Sequence, residues 1–353
     1  MAFSSLTIRA VLSGPVRASI LADPWLSGLE WVFCTDIDHA LQETASLVIL
    51  QRASMDLERR VRPTLSTVWA WGGRPDGPES NPQRWVALPG EFCLDVLRDR
   101  LLAWLWLQGV CCPCWGALPL AVEVVDGSLS LTSGGKMAAL AWEHALVPVG
   151  RVGGDVLVRV DTPVHTWLVL GDAAGHGEVA ALEAALLALA VVACCRGGSL
   201  TAQNMEQLNA FLFARIELHR FVAAVVAEIN WASGELRWLN AGLPAVLLFS
   251  PGQAPQSYPS SSYPFGVCSN LPATTIHRVA MDRCLQLLIH SDGMTEPAAQ
   301  QLLSAAIGRC ETDPVACSCC VCPSDIALSY TSPVGDDMSC VTFSLPAQRG
   351  QEA

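Results

Sequence analysis

The sequence predicts an α+β protein in two parts. An α/β, doubly wound unit comes first, and a larger layered unit of antiparallel strands with a few helices follows. Three observations carry this. The chain has 353 residues, about two domains at roughly 150 residues each. Up to about Gly109, short apolar runs alternate with helical stretches, the pattern of a parallel sheet with crossover helices. From about Trp115 onward, longer strands and hairpins take over. A composition that is 51% hydrophobic and 15% charged, with mean hydropathy +0.36, excludes a disordered chain.

In the first part the β-like runs are Ala18–Ala22, Trp31–Cys34, Leu47–Leu50, Val68–Trp71 and Trp85–Leu88. Between them Asp38–Ala45 and Met55–Arg62 have helical spacing, and Leu94–Leu107 follows the last run. Arg74–Gln83, rich in proline and glycine, is a loop. In the second part Glu178–Cys195 is apolar enough for a core helix. Thr201–Glu217 carries Met205, Leu208, Leu212 and Ile216 on one stripe, which predicts an amphipathic helix. Arg220–Asn230 and Glu235–Asn240 read as a hairpin about the turn Ala232–Gly234. Val246–Phe249, Leu285–Ile289 and Ser339–Phe343 are further strands. No internal repeat is visible.

Charge and cysteine content narrow the function classes. With 33 acidic against 21 basic residues the net charge is −12, and Lys136 is the only lysine. That balance is a poor match for a phosphate backbone, so no nucleic-acid partner is expected. The 15 cysteines are odd in number and Met1–Leu12 lacks a secretion signal, which points to free thiols in a cytoplasmic chain. Clusters at Cys111, Cys112 and Cys114 and at Cys317, Cys319, Cys320 and Cys322 read as reduced cysteines, with zinc as the alternative. Leu101–Val122 is uncharged and long enough to span a bilayer. Gly109, Pro113, Gly116 and Pro119 interrupt it, so it reads as a helix end and an irregular linker, with no membrane span expected.

Acidic residues recur at the edges of β-like runs beside glycine or another acid: Gly153-Gly154-Asp155, Gly171-Asp172, Ser291-Asp292-Gly293 and Gly335-Asp336-Asp337. Each alone is an ordinary turn. If the strands are neighbours the four carboxylates converge, and such a cluster calls for hard divalent cations. Two ions roughly 3.5–4 Å apart can activate water and clamp a phosphoryl group.

These stretches carry a family resemblance. Residues from about 145 to 346 resemble the metal-dependent protein Ser/Thr phosphatases of the protein phosphatase 2C class, SpoIIE/RsbU-type bacterial branch. The matching segments run in the family's order: Val152–Asp155, Leu170–Gly177, Gly234–Gly242, Pro264–Val267, Leu288–Glu296 and Asp336–Ser339. The resemblance implies an α-β-β-α sandwich and a dinuclear Mn²⁺ or Mg²⁺ centre with a metal-bound water as nucleophile. Asp172 would bridge both ions and the Ala173 carbonyl would be a further ligand. Asp155 would hold one ion, Asp292 and Asp336 the other. Asp337 would support the ligands, and His176 would orient the loop, assist protonation or cap the following helix. Leu243 departs from the family, which often has histidine there, and Gln300–Ser324 is short and cysteine-rich. The branch acts on phosphorylated antagonists of anti-sigma factors in partner-switching pathways and often dimerises. The alternative function is a degenerate scaffold that binds a phosphoprotein without hydrolysing it.

The N-terminal stretch resembles a response-regulator receiver domain. Gln51 stands near the position of the phospho-acceptor aspartate, Leu88 replaces the lysine, and Asp23 alone matches the acidic pair. The expected organisation is a pseudo-receiver regulatory domain at 1–112, or an unrelated α/β sensor there, a phosphatase domain at 113–347 and a tail at 348–353.

Overall fold

A computed structural model describes residues 8–35, 40, 47–51, 67–71, 85–88, 92–107, 120–125, 128–133, 141–149, 153–295 and 336–345, apart from positions 25, 30, 196–197, 218, 251–252, 273 and 283–284. The expected helices Asp38–Ala45 (Ala40 apart) and Met55–Arg62, the loop Arg74–Gln83, both cysteine clusters, Gln300–Ser324 and the linker beyond Leu107 lie outside these residues. Contacts divide the chain into two units: Met1–Leu102 with Ala214–His219, and Ala103–Phe213 with Arg220–Ala353.

The first unit is built on five parallel strands. They are β1 (Ile8–Val11), β2 (Trp31–Phe33), β3 (Leu47–Leu50), β4 (Thr67–Trp71) and β5 (Trp85–Leu88), in the order β2-β1-β3-β4-β5. This order is one of the common doubly wound arrangements. Helix α1 (Gly14–Ala22) follows β1 and α2 (Leu94–Leu107) follows β5. Two expectations are corrected. The first strand is Ile8–Val11, and Ala18–Ala22 forms the end of α1, because Pro15 in the first turn starts a helix there. Asp23 therefore follows a helix and not a strand: its carboxylate accepts from the Leu26 amide at 2.9 Å and pairs with Arg98. Gln51 does stand at the end of β3, where its side-chain oxygen accepts from the Ser13 amide at 2.6 Å. Arg100 of α2 is buried over the Trp69 ring, 5.4 Å from its centroid. It donates to the Arg215 carbonyl, and Arg215 binds Asp99 at 2.7 Å. These bonds tie the segment 214–219 into this unit.

The second unit holds two sheets. The larger comprises β6 (Leu120–Val125), β7 (Ser128–Ser133), β9 (Asp155–Asp161), β10 (His165–Ala173), β11 (Val222–Asn230), β12 (Glu235–Ala241) and β15 (His277–Ala280). Its order is β15-β12-β11-β10-β9-β7-β6, antiparallel except between β7 and β9. The smaller comprises β8 (Ala141–Val147), β13 (Val246–Phe249), β14 (Gln256–Tyr258), β16 (Leu285–His290) and β17 (Met338–Leu345), ordered β14-β13-β16-β17-β8 and antiparallel throughout. A shared core including Leu157, Leu168, Leu170, Val225, Trp238, Leu287, Val341 and Phe343 joins the two sheets. Alternation puts the neighbouring Val156 and Gly171 on the opposite face of the larger sheet.

That face is covered by α3 (Glu178–Cys195), against which α4 (Ala202–Phe213) packs. Every residue of α3 from Val179 to Val192 is buried, as a helix apolar on all sides but for Glu183 requires. It is the one described helix long and apolar enough to cross a membrane, and 83% of it is buried inside the protein. Gly171 permits its close approach: a Cβ there would lie 2.2 Å from Leu187 Cδ2. The stripe of α4 is as expected, with Met205, Leu208 and Leu212 buried, but the helix ends at Phe213. Ile216 is buried beyond the helix. Helix, sheet and sheet give three layers of the expected α-β-β-α sandwich; the second helical layer lies outside the described residues.

Candidate metal centre

Side-chain parity decides where the aspartates go. Asp155 opens β9 and shares a face with Leu157; Asp172 lies near the end of β10 and shares a face with Leu168 and Leu170. Both therefore point between the two sheets, at one edge. They stand directly opposite one another in the antiparallel ladder, an arrangement that is unfavourable for like charges. From the smaller sheet, Asp292 starts a short 3₁₀ turn (Asp292–Thr295) after β16, and Asp336 precedes β17. Only Asp292 lies just past a strand; Asp155 and Asp172 are strand residues and Asp336 leads into one.

The two strand ends of the smaller sheet are locked together. The Ser291 amide donates to the Ser339 carbonyl at 2.9 Å, and the Ser339 amide donates to Ser291 Oγ at 2.8 Å. Gly293 lets the turn meet the next strand, since a Cβ there would sit 2.2 Å from the Asp337 carbonyl oxygen. Asp337 is buried and accepts two backbone donors, Val149 N at 2.7 Å and Gly154 N at 2.6 Å. It thereby clips the start of β9, and with it Asp155, to the smaller sheet.

The electrostatics show three carboxylates, Asp155, Asp172 and Asp336, held against their preference. Asp172 is pushed up from 3.8 to about 9, first by burial, then by the charges of Asp155, Asp292 and Asp336. Asp155 is pushed up to about 7, mainly by burial and further by Asp337 and Asp336, while the hydroxyls of Ser339 and Ser291 pull it down. Those hydroxyls lie nearby without making well-formed hydrogen bonds: both Asp155 oxygens are buried with no partner of proper geometry. Asp336 is raised by burial and by Asp292 and Asp337; the exposed His176 is close enough to lower it.

These groups repel across the edge without closing on one point, and among the described residues no three His, Cys, Asp or Glu side chains are gathered tightly enough to enclose an ion. The donor set nonetheless fits hard divalent cations: it is all oxygen, multiply anionic, and includes an orphaned buried carboxylate that only a cation or a proton can satisfy.

The turn after Asp172 is held from three sides. Gly175 and Gly177 have φ of +79° and +84°, conformations glycine adopts freely. The Ala173 amide donates to the Gly154 carbonyl at 3.2 Å, and the Ala174 amide to the Phe221 carbonyl at 3.0 Å. Arg220 donates to the Ala174 carbonyl and, through Nε, to both oxygens of buried Glu183 at 2.8 Å. Sequence reasoning missed Arg220 and Glu183; the available signal was one carboxylate inside an otherwise apolar helix. Leu243 is packed in the inter-sheet core, and Asn240 folds back to bond the Leu243 amide and the Leu243 and Pro244 carbonyls. The departure from histidine there is an apolar residue used for packing.

A family model described as stage II sporulation protein E (SpoIIE) matches residues 162–345, slightly more than half of the chain. Asp172, Asp292 and Asp336 fall inside the match and Asp155 just before it. No curated protein matches the chain. Among solved structures, the chain is similar to the RsbU and RsbW domains of a Mycobacterium tuberculosis protein (19% identity, TM-score 0.49, covering 60% of this chain and 61% of that one). It is also similar to the PP2C phosphatase domain with a regulatory-domain fragment of SpoIIE from Bacillus subtilis (16%, 0.48, 60% and 64%). A third is the catalytic domain of the serine/threonine protein phosphatase PstP in complex with two manganese ions (13%, 0.42, 59% and 98%). The chain thus spans less than two thirds of the first two chains' length.

Proposed function

We propose, from the premise that this chain belongs to the SpoIIE family, that it is a metal-dependent phosphoprotein phosphatase acting on phosphoserine or phosphothreonine. The observation that carries the reading is the meeting of Asp155, Asp172, Asp292 and Asp336 at one edge of the two sheets, with Asp172 held up to about 9 by burial and its three neighbours. Two Mn²⁺ or Mg²⁺ ions, when bound, would supply a lowered water pKa and a clamp on the phosphoryl oxygens.

The chain's own residues do the rest. Asp172, which feels the charges of Asp155, Asp292 and Asp336, would be the carboxylate held in common by the two ions, with Asp155 on one and Asp292 and Asp336 on the other. The Ala173 carbonyl lies on the same turn. Asp337 and the Ser291–Ser339 bonds hold the two sheet edges in register, so that the ligands are positioned before substrate arrives. His176, exposed beside Asp336, can deliver a proton to a departing alkoxide at the open side. The substrate is a phosphorylated protein, of the kind exemplified by antagonists of anti-sigma factors in partner switching. Residues 1–112, receiver-like in sheet order, serve as the regulatory domain and 113–347 as the phosphatase domain. Control reaches the site along the chain itself, because the segment 214–219 of the first unit runs directly into β11. A cytoplasmic location accords with the free thiols of Cys34, Cys93, Cys194, Cys195, Cys268 and Cys340.

Hydrolysis of a phosphoserine peptide, with and without added Mn²⁺ and after exhaustive chelation, tests the reading. Activity should vanish on chelation and return with Mn²⁺. Turnover that survives chelation would end the metal-dependent account, and tight peptide binding without turnover would favour a scaffold.

A further inference from the structure

We propose that Arg220 is a positioning residue for the metal-bearing turn, gripping it against α3 so that Asp172 and the Ala173 carbonyl are presented to the ions. The proposal rests on the dinuclear reading above and adds to it a residue outside the ligand set.

Five observations converge on Arg220. Its Nε lies 2.8 Å from both oxygens of Glu183. Glu183 is fully buried on α3, whose other residues from Val179 to Val192 are apolar. A second nitrogen of the same guanidinium, Nη2, donates to the Ala174 carbonyl, two residues past Asp172. The amide of Ala174 is taken by the Phe221 carbonyl at 3.0 Å, so both polar backbone groups of that residue are held by consecutive residues at the head of β11. A Cβ on Gly175 would stand 3.9 Å from Arg220 Nη1, which puts the guanidinium alongside the turn. Finally, His219, immediately before Arg220, has φ +69° and is the only non-glycine residue with positive φ among the described residues. Such a conformation in a non-glycine residue persists where surrounding structure enforces it, and it clusters at functional sites.

Stability alone gives little reason for this arrangement. A buried ion pair is often no better than apolar residues of similar volume, and the apolar α3 would accept a leucine at 183. What an apolar pair cannot do is fix the Ala174 carbonyl. Arginine suits the task because its rigid planar group offers several donors at once, bonding Glu183 and Ala174 together; lysine offers a point charge.

The test uses the full-length chain with three readouts: thermal melting without metal, Mn²⁺ affinity by calorimetry, and hydrolysis of a phosphoserine peptide at saturating Mn²⁺. The variants are R220K and the double variant E183L/R220L, which removes both charges together and leaves no lone buried carboxylate. We expect the double variant to melt near the parent yet bind Mn²⁺ at least about tenfold more weakly, because the turn is no longer held. R220K keeps the charge opposite Glu183 and should fold, with Mn²⁺ affinity between the two. If the double variant fails to fold, R220K decides: parental affinity overturns the proposal and weakened affinity sustains it. Parental Mn²⁺ affinity in a folded double variant overturns it while leaving the dinuclear reading intact. A parent chain that binds no Mn²⁺ overturns both.

Discussion

Replacing Asp172 with asparagine should make the metal-free protein more stable and the enzyme inactive. In the ion-free fold the Asp172 carboxyl is held up from 3.8 to about 9. A group whose folded pKa is raised takes up protons on folding, so between about pH 4 and pH 9 stability falls as pH rises. One pKa unit corresponds to about 1.4 kcal/mol, so at pH 8, where the unfolded chain would ionise this group and the fold keeps it mostly protonated, the fold bears a cost of several kcal/mol. Asparagine needs no proton to be neutral, so it should return about 2 kcal/mol of this, or a rise of roughly 4–8 °C in Tm for a domain of this size. On the proposed metal-dependent reading the same change removes a charged ligand, so hydrolysis at saturating Mn²⁺ should fall at least about a hundredfold, as with other precisely placed catalytic groups. Melting curves from pH 5 to 9 without metal, and then with Mn²⁺, check both halves. The variant should show a flatter pH dependence and a smaller Mn²⁺-induced rise in Tm. An Asp172→Asn chain that melts lower than the parent at pH 8, or turns over normally, would refute the argument.

Asp337→Asn should destabilise the second unit by roughly 2 kcal/mol, because two backbone donors lose a charged acceptor and one of them faces an amide NH₂. Chemical denaturation measures the loss, and the accompanying fall in activity should exceed what the unfolded fraction explains, since Asp155 follows the clipped Gly154. In the N-terminal unit Gln51 stands at the end of β3 and Leu12 and Ser13 follow β1, so no acidic pair adjoins a phospho-acceptor there. Incubating the full-length chain with a small phosphodonor should leave turnover unchanged; a phospho-aspartate within residues 1–112 that alters turnover would contradict this.

The sequence by itself determined whatever is local. The apolar run of α3, the hairpin of β11 and β12, four of the five parallel strands and the acids beside glycine were all legible, because periodicity and turn chemistry act over a few residues. Ala18–Ala22 was misread as a strand, since a five-residue apolar run has no period of its own and Pro15 decided the matter. Tertiary structure alone decided which acids meet. The antiparallel register sets Asp155 opposite Asp172, and the packing of the second sheet brings up Asp292 and Asp336, from more than a hundred residues away in sequence. It alone gave Asp337 its two amides and made Glu183 the partner of Arg220, because a buried charge takes whichever counter-charge the fold brings within reach, and sequence distance does not record that.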